Sequence, residues 1–148
     1  MTEIRQAIRE DVEPIVRLLI DDQLGASRDS VDDLGPYLKA FEDIDADPNQ
    51  LLMVADLDGA VVGTFQLTFI PGLSRKGSLR GQIEGVRVHS GQRGSGLGGT
   101  LMKWAIDESR RRGCVLVQLT SDMSRVDAHR FYERLGFVAS HQGFKLAL

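Results

Sequence analysis

Five glycines fall within nine residues, at Gly91, Gly94, Gly96, Gly98 and Gly99, just before a run with helical periodicity. Without Cβ atoms the backbone there approaches a ligand closely, and N–H groups at a helix start converge on an anion. Arg93 adds a positive charge beside the turn, and Thr100 places a hydroxyl at the helix start. The chemistry such residues serve is the holding of a phosphate or pyrophosphate. A tight turn alone would need one or two glycines.

A nucleoside-triphosphate loop would end in Gly-Lys-Ser/Thr, but Gly98 is followed by Gly99-Thr100, and Lys103 lies a turn into the helix. Gly94-x-Gly96-x-x-Gly99 does satisfy the dinucleotide fingerprint, with Asp122 as the ribose-binding acid. Against it, the segment from His89 to Arg93 separates the fingerprint from its strand, and too little chain remains for a doubly wound sheet. Glu84 is the one acid between Asp58 and Asp107 and sits in an otherwise apolar strand. Burial there would suit a general base, and the plain structural alternative is a salt bridge to Arg80 or Arg87. Tyr132 can pack on its helix or face a ligand, with Phe131, Leu135 and Phe137 as core. His141 can line an acceptor pocket or act as an alternative base, while His89 and His129 read as solvent-facing. No Gly-x-Ser-x-Gly elbow occurs, and three scattered histidines lack metal-ligand spacing. Cys114, the one cysteine, excludes an internal disulfide and reads as inert packing.

These residues need positioning elements. Residues 3–8 alternate as a first strand. Val12 to Ile20 carries a helical apolar stripe, ended by Gly25. Ser30, with Asp33 three residues on, reads as the cap of a second helix that stops by Pro48. Residues 51–57 and 60–70 form strands around Asp58-Gly59, a strong hairpin signal. Residues 79–88 give a further strand. A helix follows over 97–112, with Leu97, Leu101, Trp104, Ala105 and Ile106 inward and Gly113 as its stop. Residues 115–119 form a short buried strand, 127–135 a short helix ended by Gly136, and 137–148 one or two final strands. The order β-α-α-β-β-β-α-β-α-β(-β) implies a mixed α/β (α+β) sheet flanked by helices, in one domain over 1–148.

The 148 residues, 42% hydrophobic and 26% charged, suit a folded domain. The net charge of −3 divides unevenly: residues 1–60 carry 15 acids against 5 bases, and residues 61–148 carry 6 against 13. The modest total argues against a nucleic-acid partner. No apolar stretch is long enough for a membrane span, and the first residues lack an apolar signal core, so a cytoplasmic location is expected.

Gln92-Arg93-Gly94-Ser95-Gly96-Leu97-Gly98 resembles the Arg-x-x-Gly-x-Gly motif of the Gcn5-related N-acetyltransferase (GNAT) superfamily. The preceding Ile83-Glu84-Gly85-Val86-Arg87-Val88 is similar to that family's fourth strand, and Phe131-Tyr132-x-x-Leu135-Gly136-Phe137 to its C-terminal helix segment. The resemblance spans essentially the whole chain. It implies that backbone N–H groups of Arg93, Gly94, Ser95, Gly96, Leu97, Gly98 and Gly99, with Thr100, hold the pyrophosphate of acetyl-CoA. It implies that Val86, Arg87 and Val88 pair with the pantetheine arm and offer an N–H to the thioester carbonyl. Glu84 would then be the base and Tyr132 the acid that protonates the leaving thiolate. Relatives often carry an asparagine before the last helix that contacts pantetheine. Here Asp122 or Ser124 stands in its place. The expected activity is direct acetyl transfer to a primary amine in a ternary complex. The charge split points to a small cationic acceptor; a protein lysine or N-terminus, or a non-catalytic acyl-CoA sensor, are the alternatives. A homodimer is the family's commoner state.

Overall fold

A computed structural model of the chain describes residues 1–22 and 24–148. They cluster into two compact units, Met1–Gln118 and Leu119–Leu148, described in turn.

The first unit is built on a five-stranded sheet in the order β1-β2-β3-β4-β5. β1 (Thr2–Gln6), β2 (Gln50–Leu57), β3 (Ala60–Pro71) and β4 (Leu79–Val88) run antiparallel, and β5 (Leu116–Gln118) joins β4 in parallel. A largely antiparallel meander is not a doubly wound parallel sheet, so the dinucleotide reading of the glycine turn falls. β1 stops earlier than its apolar pattern suggests because the Asp11 carboxylate accepts the Ile8 N–H at 2.8 Å and turns the chain. Asp58 (φ 50°) and Gly59 (φ 95°) are both left-handed, the geometry that closes the β2–β3 hairpin. Between β3 and β4 a single turn, Ser74–Gly77, also holds Arg75 and Lys76 left-handed.

Helix α1 (Val12–Ile20) buries Val12, Ile15, Val16 and Leu18. Helix α2 (Gly35–Ala46) begins later than a Ser30 cap would place it. Ser30 Oγ instead accepts the Asp32 N–H in a local turn, and Asp33 accepts from Gly35 just ahead of Pro36. Both helices pack with Ala7, Phe41 and Val54. Arg5 joins their edge to the sheet, donating to Asp11 at 2.7 and 3.0 Å and to Asp56 at 3.1 Å.

Helix α3 (Leu97–Arg111) lies against β3, β4 and β5 and buries Leu97, Leu101, Met102, Ala105 and Ser109. Trp104 and Ile106, expected inward, are half-buried, and Trp104 tilts against Phe65 with centroids 5.8 Å apart. Close packing is possible because Gly81 has no side chain: a Cβ there would stand 2.7 Å from Ser109 Oγ. The last strand of the unit is shorter than its pattern and half-buried, with Val115 exposed.

In the second unit, α4 (Val126–Arg134) is stopped by left-handed Gly136 (φ 100°), as expected. It buries none of its residues, and Leu135, expected in a core, is exposed. The strands expected over 137–148 are not formed; no regular element follows Arg134.

Candidate active site

β4 carries the geometry on which the site depends. Gln66 pairs with Glu84 and Thr64 with Arg87, so three steps on β4 face two on β3. The extra residue is a bulge in which Gly85 is left-handed at φ 65°, a value glycine adopts without strain. The bulge bends the strand, and β5 pairs only with Arg80 to Gln82. From Ile83 to Val88, β4 therefore has no second strand beside it among the described residues. Its edge N–H and C=O groups suit an extended ligand that pairs as a strand does.

At the end of β4 the chain enters the glycine turn. His89 Nδ1 accepts the Gly91 N–H at 3.0 Å, fixing a tight turn over Ser90–Gln92. Histidine at 89 thus has a local role that its sequence position did not announce. Gly94 (φ 81°) and Gly96 (φ 85°) are left-handed, and a Cβ on either would meet nothing within 4 Å. Glycine serves here for backbone conformation rather than for crowding. Gly96 caps α3, so the N–H groups of Leu97, Gly98 and Gly99 open the helix and have no carbonyl one turn back. Their convergence, added to the helix dipole, makes an anion cradle. Ser95 Oγ donates to the Gln92 carbonyl at 2.5 Å, and the Thr100 hydroxyl donates to the Gly96 carbonyl at 3.1 Å. Both hydroxyls bond carbonyls of the turn itself.

Two aspartates at the end of α1 reach this region. Arg93 Nη2 lies 3.8 Å from the Asp21 carboxylate and donates to its carbonyl at 3.4 Å. Arg87 Nε lies 3.0 Å from the Asp22 carboxylate, which also accepts the Gly25 N–H at 2.5 Å. Gly25 admits no other residue, since a Cβ would fall 1.7 Å from the Leu19 carbonyl oxygen. Sequence reading took Gly25 for a helix stop alone and missed the Asp22–Arg87 pair, because nothing local links residues on different elements.

Glu84 is exposed rather than buried, so the burial argument for its basicity does not hold. The salt bridges offered for it are not made: Arg80 donates to Gln118 at 3.2 Å and Arg87 faces Asp22. Glu84 stands on the free-edged stretch of β4, immediately before the bulge.

In the second unit, Asp122 accepts from the Ser124 N–H at 2.9 Å and from its hydroxyl at 2.6 Å. The Asp122 carbonyl is 2.8 Å from His129 Nε2 and accepts the Arg125 N–H at 3.0 Å. Asp122, Ser124 and His129 thus form the turn that launches α4, a role for His129 that the sequence left unread. Tyr132 is half-buried, its ring edge-on to Phe131 at 5.4 Å and to Phe137 at 6.1 Å. His141 is exposed, with Nδ1 2.6 Å from Ser140 Oγ. Cys114 is half-buried, and burial pushes its thiol up from the ordinary value.

The acetyltransferase (GNAT) family model matches residues 13–137. An aminoalkylphosphonate N-acetyltransferase of Salmonella typhimurium is 33% identical over 150 residues, covering 99% of this chain and 91% of that protein. A glucosamine 6-phosphate N-acetyltransferase of Trypanosoma brucei brucei is 38% identical, over 61% of this chain and 59% of the relative. A crystal structure from Bacillus halodurans, titled a transcriptional regulator, superposes with a TM-score of 0.96 at 46% identity over all of both chains. A bulged fourth strand leading into a glycine-capped helix, in a chain matched by the family over most of its length, makes this protein a member of the GNAT family and an acetyl-CoA-dependent N-acetyltransferase.

Proposed function

We propose that this chain, as one catalytic domain over 1–148, passes the acetyl group of acetyl-CoA directly to the primary amine of a small acceptor within a ternary complex. The observation that carries the cofactor half is the free edge of β4 beyond its bulge, running into the N–H cradle of Gly94 to Gly99. Val86, Arg87 and Val88 pair with the pantetheine arm, and one of their N–H groups polarises the thioester carbonyl. Arg93 and the cradle bind the pyrophosphate. Glu84, exposed on the same strand, accepts the ammonium proton directly or through water, and Tyr132 protonates the departing thiolate. Asp122 and Ser124 shape the approach to α4 and the pantetheine side. No residue is acylated along the way. The working location is the cytoplasm, and the working form is a homodimer.

Two readings of the acceptor's charge have support. The excess of acids in residues 1–60 favours a cationic amine. Many of those acids, however, already face a basic partner: Asp11 and Asp56 face Arg5, Asp21 faces Arg93, Asp22 faces Arg87, and Asp43 faces Lys39. The relatives named for aminoalkylphosphonate and glucosamine 6-phosphate support the second reading, an amine that also carries a phosphonate or phosphate. Thiol release measured with polyamines, aminoalkylphosphonates, amino sugar phosphates and lysine peptides at low salt separates them. Higher kcat/KM for polyamines supports the cationic acceptor, and higher kcat/KM for the phosphonates discards it. Turnover of peptides alone replaces both with a protein acceptor.

A further inference from the structure

The two faces of β3 and β4 differ sharply in chemistry. Leu67, Phe69, Gly81 and Ile83 are buried, and Gly81 meets Ser109 of α3 on that face. Alternate residues point the other way: Gln66 and Thr68 on β3, and Arg80, Gln82 and Glu84 on β4. Cross-strand pairing adds Gln50 from β2 and Gln118 from β5 to the same face. The four glutamines are half-buried, a costly place for an amide unless it is hydrogen-bonded. Here the amides bond one another.

Those bonds decide which end each amide presents. Arg80 carries only donors, so the Gln118 atom it reaches at 3.2 Å is the carbonyl oxygen. Gln118 Nε2 then donates to Gln82 Oε1 at 2.9 Å, which turns the amide N–H groups of Gln82 away from β5. On β3, Gln66 Nε2 donates to Gln50 Oε1 at 2.9 Å, and the Thr68 hydroxyl donates to the same oxygen at 2.8 Å. The carbonyl oxygen of Gln66 is therefore the end turned away from β2. The register sets Gln66 directly opposite Glu84. Glu84 thus has an amide carbonyl across the strand pair and an amide donor two residues back, about 7 Å along β4.

We propose that Gln82 sets acceptor specificity: its amide donates to an oxygen of the acceptor, while the amine itself meets Glu84 and the Gln66 carbonyl. The acceptor class is a primary amine that carries a hydroxyl or a phosphorus oxyanion within about 7 Å of its nitrogen. A plain alkylamine displaces water from the Gln82 donors and gives them no partner, and that cost rejects it. Gln118, anchored by Arg80, is a positioning residue that keeps the donors of Gln82 facing the acceptor. The inference rests on Glu84 receiving the amine, as proposed above, and adds what recognises the rest of the molecule.

Thiol release from acetyl-CoA with propylamine, aminopropanol and aminoethylphosphonate, compared at equal free-amine concentration, tests it. The full chain is measured beside Gln82→Met, which keeps the side-chain length without the amide, and circular dichroism verifies the fold. In the wild type, kcat/KM for at least one oxygen-bearing amine exceeds that for propylamine by about tenfold or more. In Gln82→Met the advantage shrinks to about threefold or less, chiefly through the acceptor KM. A wild-type enzyme that favours neither oxygen-bearing amine overturns the proposal, and that comparison needs no variant. An advantage that survives Gln82→Met overturns it too, as does an equal loss for all three amines, since a specificity residue shifts their ratio. Release with no amine at all overturns the transferase reading itself, whereas release with propylamine alone overturns only the role of Gln82.

Discussion

Arg87 on β4 and Asp22 at the end of α1 form an ion pair at 3.0 Å, and both side chains are largely shielded from water. The pair fixes the α1–α2 connection to the strand just beyond the bulge, where the thioester is proposed to lie. Asp22 does this with one carboxylate that also accepts the Gly25 N–H.

Asp22→Asn keeps the side-chain shape and removes the charge. If the α1–α2 connection borders the acceptor, the acceptor KM rises about tenfold, ~1.4 kcal/mol of binding. The KM for acetyl-CoA stays near wild type. Steady-state kinetics with each substrate varied in turn checks this, and an equal rise in both constants removes the acceptor-side role.

Tyr132→Phe removes the proposed acid without disturbing the ring contacts to Phe131 and Phe137. At saturating substrates kcat falls about 100-fold, the low end for a lost proton-transfer group. Glu84→Gln shifts the profile differently, because loss of the base is partly offset at high pH, where free amine is abundant. Unchanged turnover in both variants would remove the two role assignments.

Acid stability depends on Glu108. Its carboxylate accepts from Arg111 at 2.8 and 2.6 Å and from Arg112 at 3.0 Å. The Arg111 hydrogen bonds, assisted by Arg112 and opposed by burial, hold its pKa at about 2 against an ordinary 4.5. A depressed carboxylate stabilises the fold fully above the ordinary value and loses that contribution as pH falls from about 4.5 toward 2. Glu108→Gln lowers stability at pH 7 by ~1 kcal/mol, since Arg111 faces solvent and the pair is screened. The difference from wild type narrows as denaturation is repeated at lower pH. Arg112 is also released from its place over the Phe69 ring, 4.1 Å from the centroid.

Gly81→Ala pushes a methyl group against Ser109 Oγ, whose hydroxyl is committed to the Ala105 carbonyl at 2.8 Å. The cost is ~1–3 kcal/mol of stability, measured by denaturant unfolding. Ser109→Ala in the same chain relieves the contact and recovers most of the loss, so the two substitutions are strongly non-additive.

Local chemistry was legible and long-range geometry was not. Asp58-Gly59 announced the β2–β3 hairpin, and Gly113 and Gly136 announced helix ends, because left-handed residues leave a composition signal. Gly85 sits in an unbroken strand pattern, and no local feature says that the strand bulges there. Glu84 read as buried because its neighbours are apolar, yet strand alternation and the bulge turn it outward. Ser30 had the composition of a helix cap, but its hydroxyl was taken by the Asp32 N–H and Pro36 set the start. Residues 137–148 carry an alternating apolar pattern, yet no regular element follows Arg134.

Thiol release from acetyl-CoA, followed with and without amines across the acceptor panel and matched to the N-acetylated product, bears most directly on the enzyme's chemistry. Release that requires an amine, equals the product formed and leaves no acetyl group on the protein is the predicted result. Tight acetyl-CoA binding with no amine-dependent release from any acceptor would contradict it and leave a sensor of acyl-CoA in its place.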